Sequence, residues 1–264
     1  MTNNGAATAV SGRNDAFTDF KFDPKDSRLI LAYIGFSFIA VFLGALAGFL
    51  QLMQRSGWIE LPLWLNYYQL LSAHGVLLAL VFTTFFIVGY LFSGVARTLD
   101  GQLTPAARRL GWTGFILMAV GSIMATITIL SNDASVLYTF YAPMEASPWF
   151  YVGLALIVVG VWMCIFGAWI QVANWRKKNP GKHLPILAYF ATGVFTLLFF
   201  ASLPVAIEVI FLIIPWAFGW VDTINAMVAR TLFWAFGHTL VNIWYLTATS
   251  VWYVVVPKLI GGRR

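Results

Sequence analysis

Charge and cysteine are both scarce in this sequence. Only 10% of its 264 residues are Asp, Glu, Lys or Arg, and 60% are hydrophobic, whereas about a quarter of a soluble domain is charged. This composition excludes an ordinary soluble domain and predicts a polytopic membrane protein. Cys164 is the single cysteine, which excludes an internal disulfide framework and a thiolate metal cluster. The net charge of +6 then belongs to loops at a membrane surface, and we expect no nucleic-acid partner.

Six segments are long and apolar enough to cross a bilayer as helices, which takes about 20 residues each. Backbone amides in lipid have to be satisfied within their own segment, so an all-α bundle is the expected fold. The spans are predicted at about residues 29–53, 67–92, 110–130, 149–174, 185–214 and 227–256, between an N-terminal tail, 1–28, and a C-terminal tail, 257–264. The N-terminal tail is polar and has no apolar core, so we expect no cleavable signal peptide.

Positive charge is distributed unevenly among the loops. The loops after the second and fourth spans and the C-terminal tail are basic, with Arg97, Arg108, Arg109, Arg176, Lys177, Lys178, Lys182, Lys258, Arg263 and Arg264. The opposite loops contain Asp133, Glu145 and Asp222, with Arg55 as their basic residue. Because basic loops stay in the cytoplasm, we expect both termini to be cytoplasmic.

Two histidines lie inside apolar spans. His74, in the segment YYQLLSAHGVLLALVF, lies about 10 Å from the outer end of its helix at 1.5 Å per residue. His238 lies eleven residues into the sixth span, in FGHTLVNIWYL. A glycine flanks each of them (Gly75 and Gly237), and a small residue beside an imidazole lets a flat macrocycle approach the helix. Buried membrane histidines mark metal, cofactor or proton sites, and imidazole binds haem iron and copper. An interhelical hydrogen bond is the alternative role of either histidine.

One carboxyl group also lies within a span. Glu208, in LPVAIEVIFLIIP, is either a proton-relay group or the partner of a basic residue such as an arginine at a helix end. The third histidine, His183, lies in the basic loop RKKNPGKHLP and is expected to be a solvated loop residue.

Three stretches of the chain carry a resemblance to a known family. The segments YYQLLSAHGVLLALVF, NDASVLYTFYAPM and VARTLFWAFGHTLVNIWYL, with VVVPKLIGG after the last, resemble subunit I of the heme-copper oxidases, specifically its B-type branch. The resemblance implies that His74 is an axial ligand of the low-spin haem. It implies that His238 is the first of three histidines that hold the active-site copper.

The same resemblance assigns further positions. Glu208 and Tyr253 match polar positions that the branch keeps near its core and along its proton path. Arg230 and Trp234 match the run just before the copper histidine. The remaining copper ligands, the second low-spin ligand and the high-spin haem ligand come from later helices of the family's subunit, so this chain resembles its amino-terminal half.

Two positions depart from the family pattern within the copper motif, Thr239 at the proline and Asn242 at the tyrosine, and the second bears on the chemistry. The family reads Gly-His-Pro-x-Val-Tyr, and its tyrosine becomes bonded to a copper histidine. Here Asn242 occupies the tyrosine's position, four residues after His238 and on the same helix face. An amide is not oxidised at biological potentials, but it can orient a bound diatomic molecule or a water by hydrogen bonding. Reducing oxygen to water takes four electrons and joining two nitric oxide molecules takes two, so Asn242 favours nitric oxide as the substrate.

The leading hypothesis is therefore the amino-terminal half of the catalytic subunit of a heme-copper terminal reductase. The resemblance implies a low-spin haem, a high-spin haem and copper as cofactors, and a prokaryotic inner membrane as the location. The partners that it implies are the carboxyl-terminal half of subunit I or a second chain that supplies it, and an electron-entry subunit II. It also implies an electron donor such as cytochrome c or a cupredoxin. An oxygen-reducing cytochrome c oxidase is one alternative, and a non-catalytic six-helix scaffold is another.

Overall fold

The computed structural model describes residues 23–134 and 136–261. Most of the predicted N-terminal tail, residues 1–22, and the last three residues of the C-terminal tail lie outside this range. Within it, six helices are long and apolar enough to cross a membrane. They are α1 (Pro24–Arg55), α2 (Tyr67–Thr98), α3 (Pro105–Leu130), α4 (Pro148–Lys178), α5 (Ile186–Ala217) and α6 (Ala226–Leu259). This part of the chain contains no sheet, only an isolated bridge between Ala134 and Ala146, and the predicted all-α membrane fold is confirmed.

Proline and short polar side chains set the starts of the helices. α1, α3 and α4 each begin at a proline, whose missing N–H costs nothing in the first turn. Asp23 caps α1 by accepting a hydrogen bond from the Lys25 amide at 2.7 Å. Because of this cap, α1 begins at Pro24, five residues before the span that hydropathy predicts.

α2 lies at the centre of the bundle and packs against the other five helices. Its contact with α6 includes a hydrogen bond between the hydroxyl groups of Tyr90 and Ser250, at 3.0 Å. In the most apolar 18-residue stretch of α2, 56% of the residues are buried. In the corresponding stretch of α6, only 22% of the residues are buried. α6 therefore presents most of its surface to the exterior of the six-helix bundle.

Glycines bring α3 and α4 into close contact. On α4, Gly153, Gly160 and Gly167 recur every seven residues and face α3. A Cβ atom on Gly160 would lie 2.7 Å from the carbonyl oxygen of Gly114 on α3. Small residues at such positions let membrane helices pack backbone to backbone, so this seam is a fixed element of the fold.

A buried ion pair fixes the ends of α1 and α3. Asp26 is fully buried and accepts hydrogen bonds from Arg108 Nε at 2.6 Å and from the Leu103 amide at 2.8 Å. Gln171 on α4 accepts from the Thr104 amide at 2.7 Å. These bonds join α1, α4 and the α2–α3 loop at the end of the bundle for which the loop charges predict a cytoplasmic location.

Candidate functional site

The turn of α2 that contains His74 is fixed by polar contacts on both sides. Asn66 and Gln69 form a capping box at the start of the helix. Gln69 Nε2 also donates to the Leu130 carbonyl at 2.7 Å. Ser72 Oγ donates to the Val136 carbonyl in the α3–α4 connection. This turn is therefore anchored to α3 and to the loop that follows it.

His74 itself is half-buried and oriented by α1. Its Nδ1 lies 2.9 Å from the carbonyl oxygen of Gly44. A carbonyl only accepts hydrogen bonds, so Nδ1 carries the proton and Nε2 presents its lone pair. Gly48, one turn further along α1, lies so close that a Cβ atom there would be 2.5 Å from Nδ1.

This arrangement fits a metal-bound imidazole. Histidines that ligate metals usually donate their second ring nitrogen to a carbonyl or carboxylate, which fixes the ring orientation and raises the basicity of the ligand. The Gly44 carbonyl provides that contact for His74, and Gly48 makes room for it. Sequence reasoning identified the histidine but missed these two glycines, although their spacing of four residues on an apolar helix was a usable signal.

Two π-helical segments lie next to candidate residues. The first, Val76–Phe82, interrupts α2 directly after His74 and Gly75. The second, Glu208–Ile213, begins at the candidate carboxyl group of α5. Single π turns inside α-helices occur frequently at functional sites, because they shift the side chains that follow relative to a regular helix. Hydrophobic periodicity gave no sign of either segment.

His238 and Asn242 lie on the exposed face of α6. Asn242 Nδ2 donates to the main-chain carbonyl oxygen of His238 at 2.9 Å, so the amide contacts the backbone and not the imidazole. Three large apolar side chains are also exposed on this helix near the two residues: Trp234, Val241 and Tyr245. The face of α6 that contains His238 is therefore uncovered within the six helices.

His74 and His238 are not brought into a common ligand cluster. In the two described ranges, no three His, Cys, Asp or Glu side chains are grouped so that they could hold a metal ion. Each histidine is thus a single candidate ligand on its own helix.

The α3–α4 connection contacts both histidine-bearing helices. A Cβ atom on Gly75, beside His74, would lie 3.2 Å from Tyr138. Three residues further, the Tyr141 ring lies 5.6 Å from Phe233 and 6.4 Å from Trp234 on α6. The guanidinium of Arg230 lies 5.3 Å from the centre of the same tyrosine ring. The stretch NDASVLYTFYAPM, which contributed to the family resemblance, therefore bridges the two candidate ligand helices.

The two remaining candidates differ in their surroundings. Glu208 is fully buried, and neither of its carboxyl oxygens has a hydrogen-bond partner within the described part of the chain. The helix-end arginine that the sequence allowed as a partner does not contact it there. Tyr253, in contrast, is 57% exposed, and its ring lies 5.4 Å from that of Phe190 on α5.

An apolar cavity of about 60 Å³ lies between α2, α4, α5 and α6. Its wall includes Phe140 from the α3–α4 connection and, from α6, Phe236 and Leu240, which flank His238 in the sequence. A water-sized molecule needs roughly 10–15 Å³ on this measure, and cavities with apolar walls stay dry. The cavity has room for small apolar molecules beside the helix that contains His238.

Comparisons with known proteins agree with this arrangement of helices. Residues 28–264 match the family model described as cytochrome C and quinol oxidase polypeptide I. The chain is 33% identical over 246 residues to cytochrome c oxidase subunit 1 of Thermus thermophilus, in an alignment that covers 90% of this chain and 43% of that protein. It is also similar to a heme-copper terminal oxidase dimer solved by cryo-EM, with a TM-score of 0.79 and 37% identity, covering 88% of this chain and 40% of that one. The chain spans less than half the length of these relatives.

Proposed function

Because the chain belongs to the cytochrome c and quinol oxidase polypeptide I family, we propose that it forms the first six membrane helices of a heme-copper terminal reductase. Such an enzyme passes respiratory electrons through a haem to a haem–copper site, where a diatomic gas is reduced. The observation that carries the proposal is the His74 imidazole, whose Nδ1 lies 2.9 Å from the Gly44 carbonyl oxygen, so that the lone pair of Nε2 is left to act as a ligand.

We assign His74 to the low-spin haem and His238 to the copper, in the B-type pattern of the family. The haem and the copper supply the redox chemistry when they are bound, and this chain contributes one ligand to each. The uncovered face of α6 around His238 supports the assignment, because the other ligands would come from helices packed there. Those helices belong to the carboxyl-terminal half of the subunit or to a second chain.

We assign the transfer of protons for the reaction to Glu208 and Tyr253. The carboxyl group of Glu208 is buried without a hydrogen-bond partner in the described ranges, which is expensive inside a membrane and is typical of groups that hold and release protons. The phenol of Tyr253 lies fifteen residues beyond His238 on α6. In the proposed orientation this places the phenol toward the cytoplasmic side, from which protons are drawn.

The enzyme is placed in a prokaryotic inner membrane with both termini in the cytoplasm. The basic loops after α2 and α4 support this orientation. An electron-entry subunit II and a donor such as cytochrome c or a cupredoxin complete the assembly, since the similar proteins are subunits of oxidases.

We propose nitric oxide as the substrate. Asn242 lies one turn from His238 and donates to its main-chain carbonyl, so the amide is held beside the copper ligand. An amide can orient a small bound molecule, but it cannot supply the electron that a phenol supplies for the four-electron reduction of oxygen. Reduction of two nitric oxide molecules to nitrous oxide and water needs only two electrons and two protons.

Oxygen is the alternative substrate. The similar proteins are named as a cytochrome c oxidase and a terminal oxidase. An oxidase with Asn242 would need a redox-active phenol on another helix. A non-catalytic scaffold is the third possibility, and it predicts that the complete assembly contains neither haem nor copper.

Paired turnover measurements with the two gases test the substrate. The complete enzyme should reduce nitric oxide about tenfold faster than oxygen or more, which corresponds to a difference of about 1.4 kcal/mol in activation free energy. Asn242→Tyr should raise oxygen reduction at matched metal content. Asn242→Leu is the control, because it removes the amide without adding a phenol, and it should not raise oxygen reduction. Faster oxygen than nitric oxide reduction by the wild type would refute the assignment and establish the oxidase alternative.

A further inference from the structure

A polar cavity and an apolar groove adjoin each other where α4 ends and α5 begins. The cavity has a volume of about 410 Å³ and is lined by Arg176, Lys182 and His183, among others. The groove has a volume of about 270 Å³ and runs between α5 and α6, with Phe190 and Leu246 in its walls. Arg176, Leu184 and Tyr189 line both spaces, so the two form one continuous site.

The charge of this site is unbalanced. None of the described residues that line the cavity or the groove is acidic. Lys182 Nζ donates to the side-chain oxygen of Asn179 at 3.0 Å, which holds the ammonium group at the cavity wall and leaves two N–H donors. A second polar cavity, near the start of α3, is different, because its cations are accompanied by Asp23 and Asp100. The described lining of the first cavity has two cations, Arg176 and Lys182, and no carboxylate, whereas that of the second has three cations and two carboxylates. The first cavity therefore suits an anion better than the second.

The groove extends from the charged end of α5 into the membrane. Gly193 lines it seven residues after Ile186, about 10 Å along the helix. A Cβ atom at Gly193 would meet no other atom within 4 Å, so the groove is open at this depth. A ligand that matches both spaces has an anionic head at the membrane surface and an apolar chain directed into the bilayer.

We propose that this site binds an anionic phospholipid, with its phosphate between Arg176 and Lys182 and an acyl chain in the groove past Gly193. Basic pockets between membrane helices on the cytoplasmic side bind the head groups of such lipids. The acyl chain distinguishes a phospholipid from free phosphate as the ligand, because free phosphate can occupy only the polar cavity. The site is distinct from His74 and His238, so the proposal does not depend on the substrate of the enzyme.

Lipid titrations of the complete enzyme in detergent test the proposal, with bound lipids counted by native mass spectrometry. Dioleoyl phosphatidylglycerol should bind with higher affinity than dioleoyl phosphatidylcholine. Arg176→Gln and Lys182→Gln should each weaken phosphatidylglycerol binding about fivefold, and the double variant about thirtyfold, since each cation near the surface contributes about 1 kcal/mol. Lys177→Gln is the matched control, because it removes the same charge from an exposed neighbour that does not line the site.

Gly193→Leu tests the groove without changing the charge. The leucine side chain has open space to occupy, so the variant should fold, and it should weaken phosphatidylglycerol binding at least fivefold. An unchanged haem spectrum in each variant verifies that the fold is intact. Inorganic phosphate at millimolar concentration should not displace the lipid.

Four results would overturn the proposal. They are equal binding by wild type and the double variant, equal losses in Lys177→Gln and Arg176→Gln, displacement by inorganic phosphate, and absence of phosphatidylglycerol binding from the complete enzyme. The last result would mean that another protein segment covers the groove.

Discussion

Replacing Gly48 with alanine should displace the His74 imidazole. The new Cβ atom would lie 2.5 Å from Nδ1 and 2.7 Å from Cε1 of the ring. The first distance is 0.9 Å short of the 3.4 Å at which ordinary van der Waals contact begins. The ring therefore has to move away from α1, and this movement stretches its 2.9 Å hydrogen bond to the Gly44 carbonyl.

Opposing effects set the size of the free-energy change that Gly48→Ala causes at the His74 ligand. Overpacking at a well-packed contact costs about 1–3 kcal/mol, and loss of the hydrogen bond adds about 0.5–1.5 kcal/mol. Alanine in place of glycine favours the helix by about 1 kcal/mol. We expect a net loss of about 1–3 kcal/mol at the ligand. Since outer contacts of metal-binding histidines typically change metal affinity by 10–100-fold, low-spin haem retention should fall by about that factor.

The assay is the low-spin haem spectrum of the complete enzyme, read against total protein and followed through dilution or competition with a haem-binding protein. Gly35→Ala is the matched control, because Gly35 lies on the same helix and a Cβ atom there meets nothing within 4 Å. This control should retain haem like the wild type. Equal haem retention by Gly48→Ala and Gly35→Ala would refute the reasoning that α1 orients the His74 ligand.

Three further predictions follow from the histidines, the buried ion pair and the loop charges. In the complete enzyme, His74→Ala should abolish the low-spin haem spectrum and His238→Ala should leave it largely intact; equal losses would indicate misfolding instead of lost ligation. Arg108→Gln should reduce stability in thermal unfolding by about 3 kcal/mol, because it leaves the fully buried Asp26 unpaired. Its control, Arg109→Gln at an exposed neighbour, should change stability by less than about 0.5 kcal/mol, and similar losses in both would contradict the ion-pair argument. Reporter fusions at Gly101 and Gly181 should be cytoplasmic and a fusion at Ala134 external, and the opposite pattern would contradict the proposed orientation.

The membrane fold was predictable from the sequence because its signals are local. Long apolar runs gave the number of helices, and prolines at residues 24, 105 and 148 mark helix starts that follow ordinary capping rules. α1 extends five residues before the predicted span, where Asp26 and Arg28 have the composition of a polar tail. Asp26 is buried only because Arg108, 82 residues away, pairs with it, and no local pattern reveals that pairing.

The candidate site was predictable only in part. The two histidines stand out because imidazoles are rare in apolar spans, and the sequence motifs around them indicated a family. The contact between His74 and Gly44 depends on how α1 packs against α2, which the sequence does not specify. The sequence placed Asn242 on the helix face of His238, but it did not reveal that the Asn242 Nδ2 donates to the main chain four residues earlier. Short polar side chains in helices often make this local bond, and residue spacing alone does not distinguish it from a contact with a ligand.

The close seam between α3 and α4 has a consequence for the order in which the molecule assembles. These two helices follow one another in the chain, so bringing them together costs less loop entropy than pairing distant helices. Two of the bonds that anchor the His74 turn join more distant positions: 64 residues separate Ser72 from Val136, and 61 separate Gln69 from Leu130 at the end of α3. Val136 lies in the connection between α3 and α4. We therefore expect the α3–α4 hairpin to form early and to act as the template on which the histidine-bearing turn of α2 is ordered.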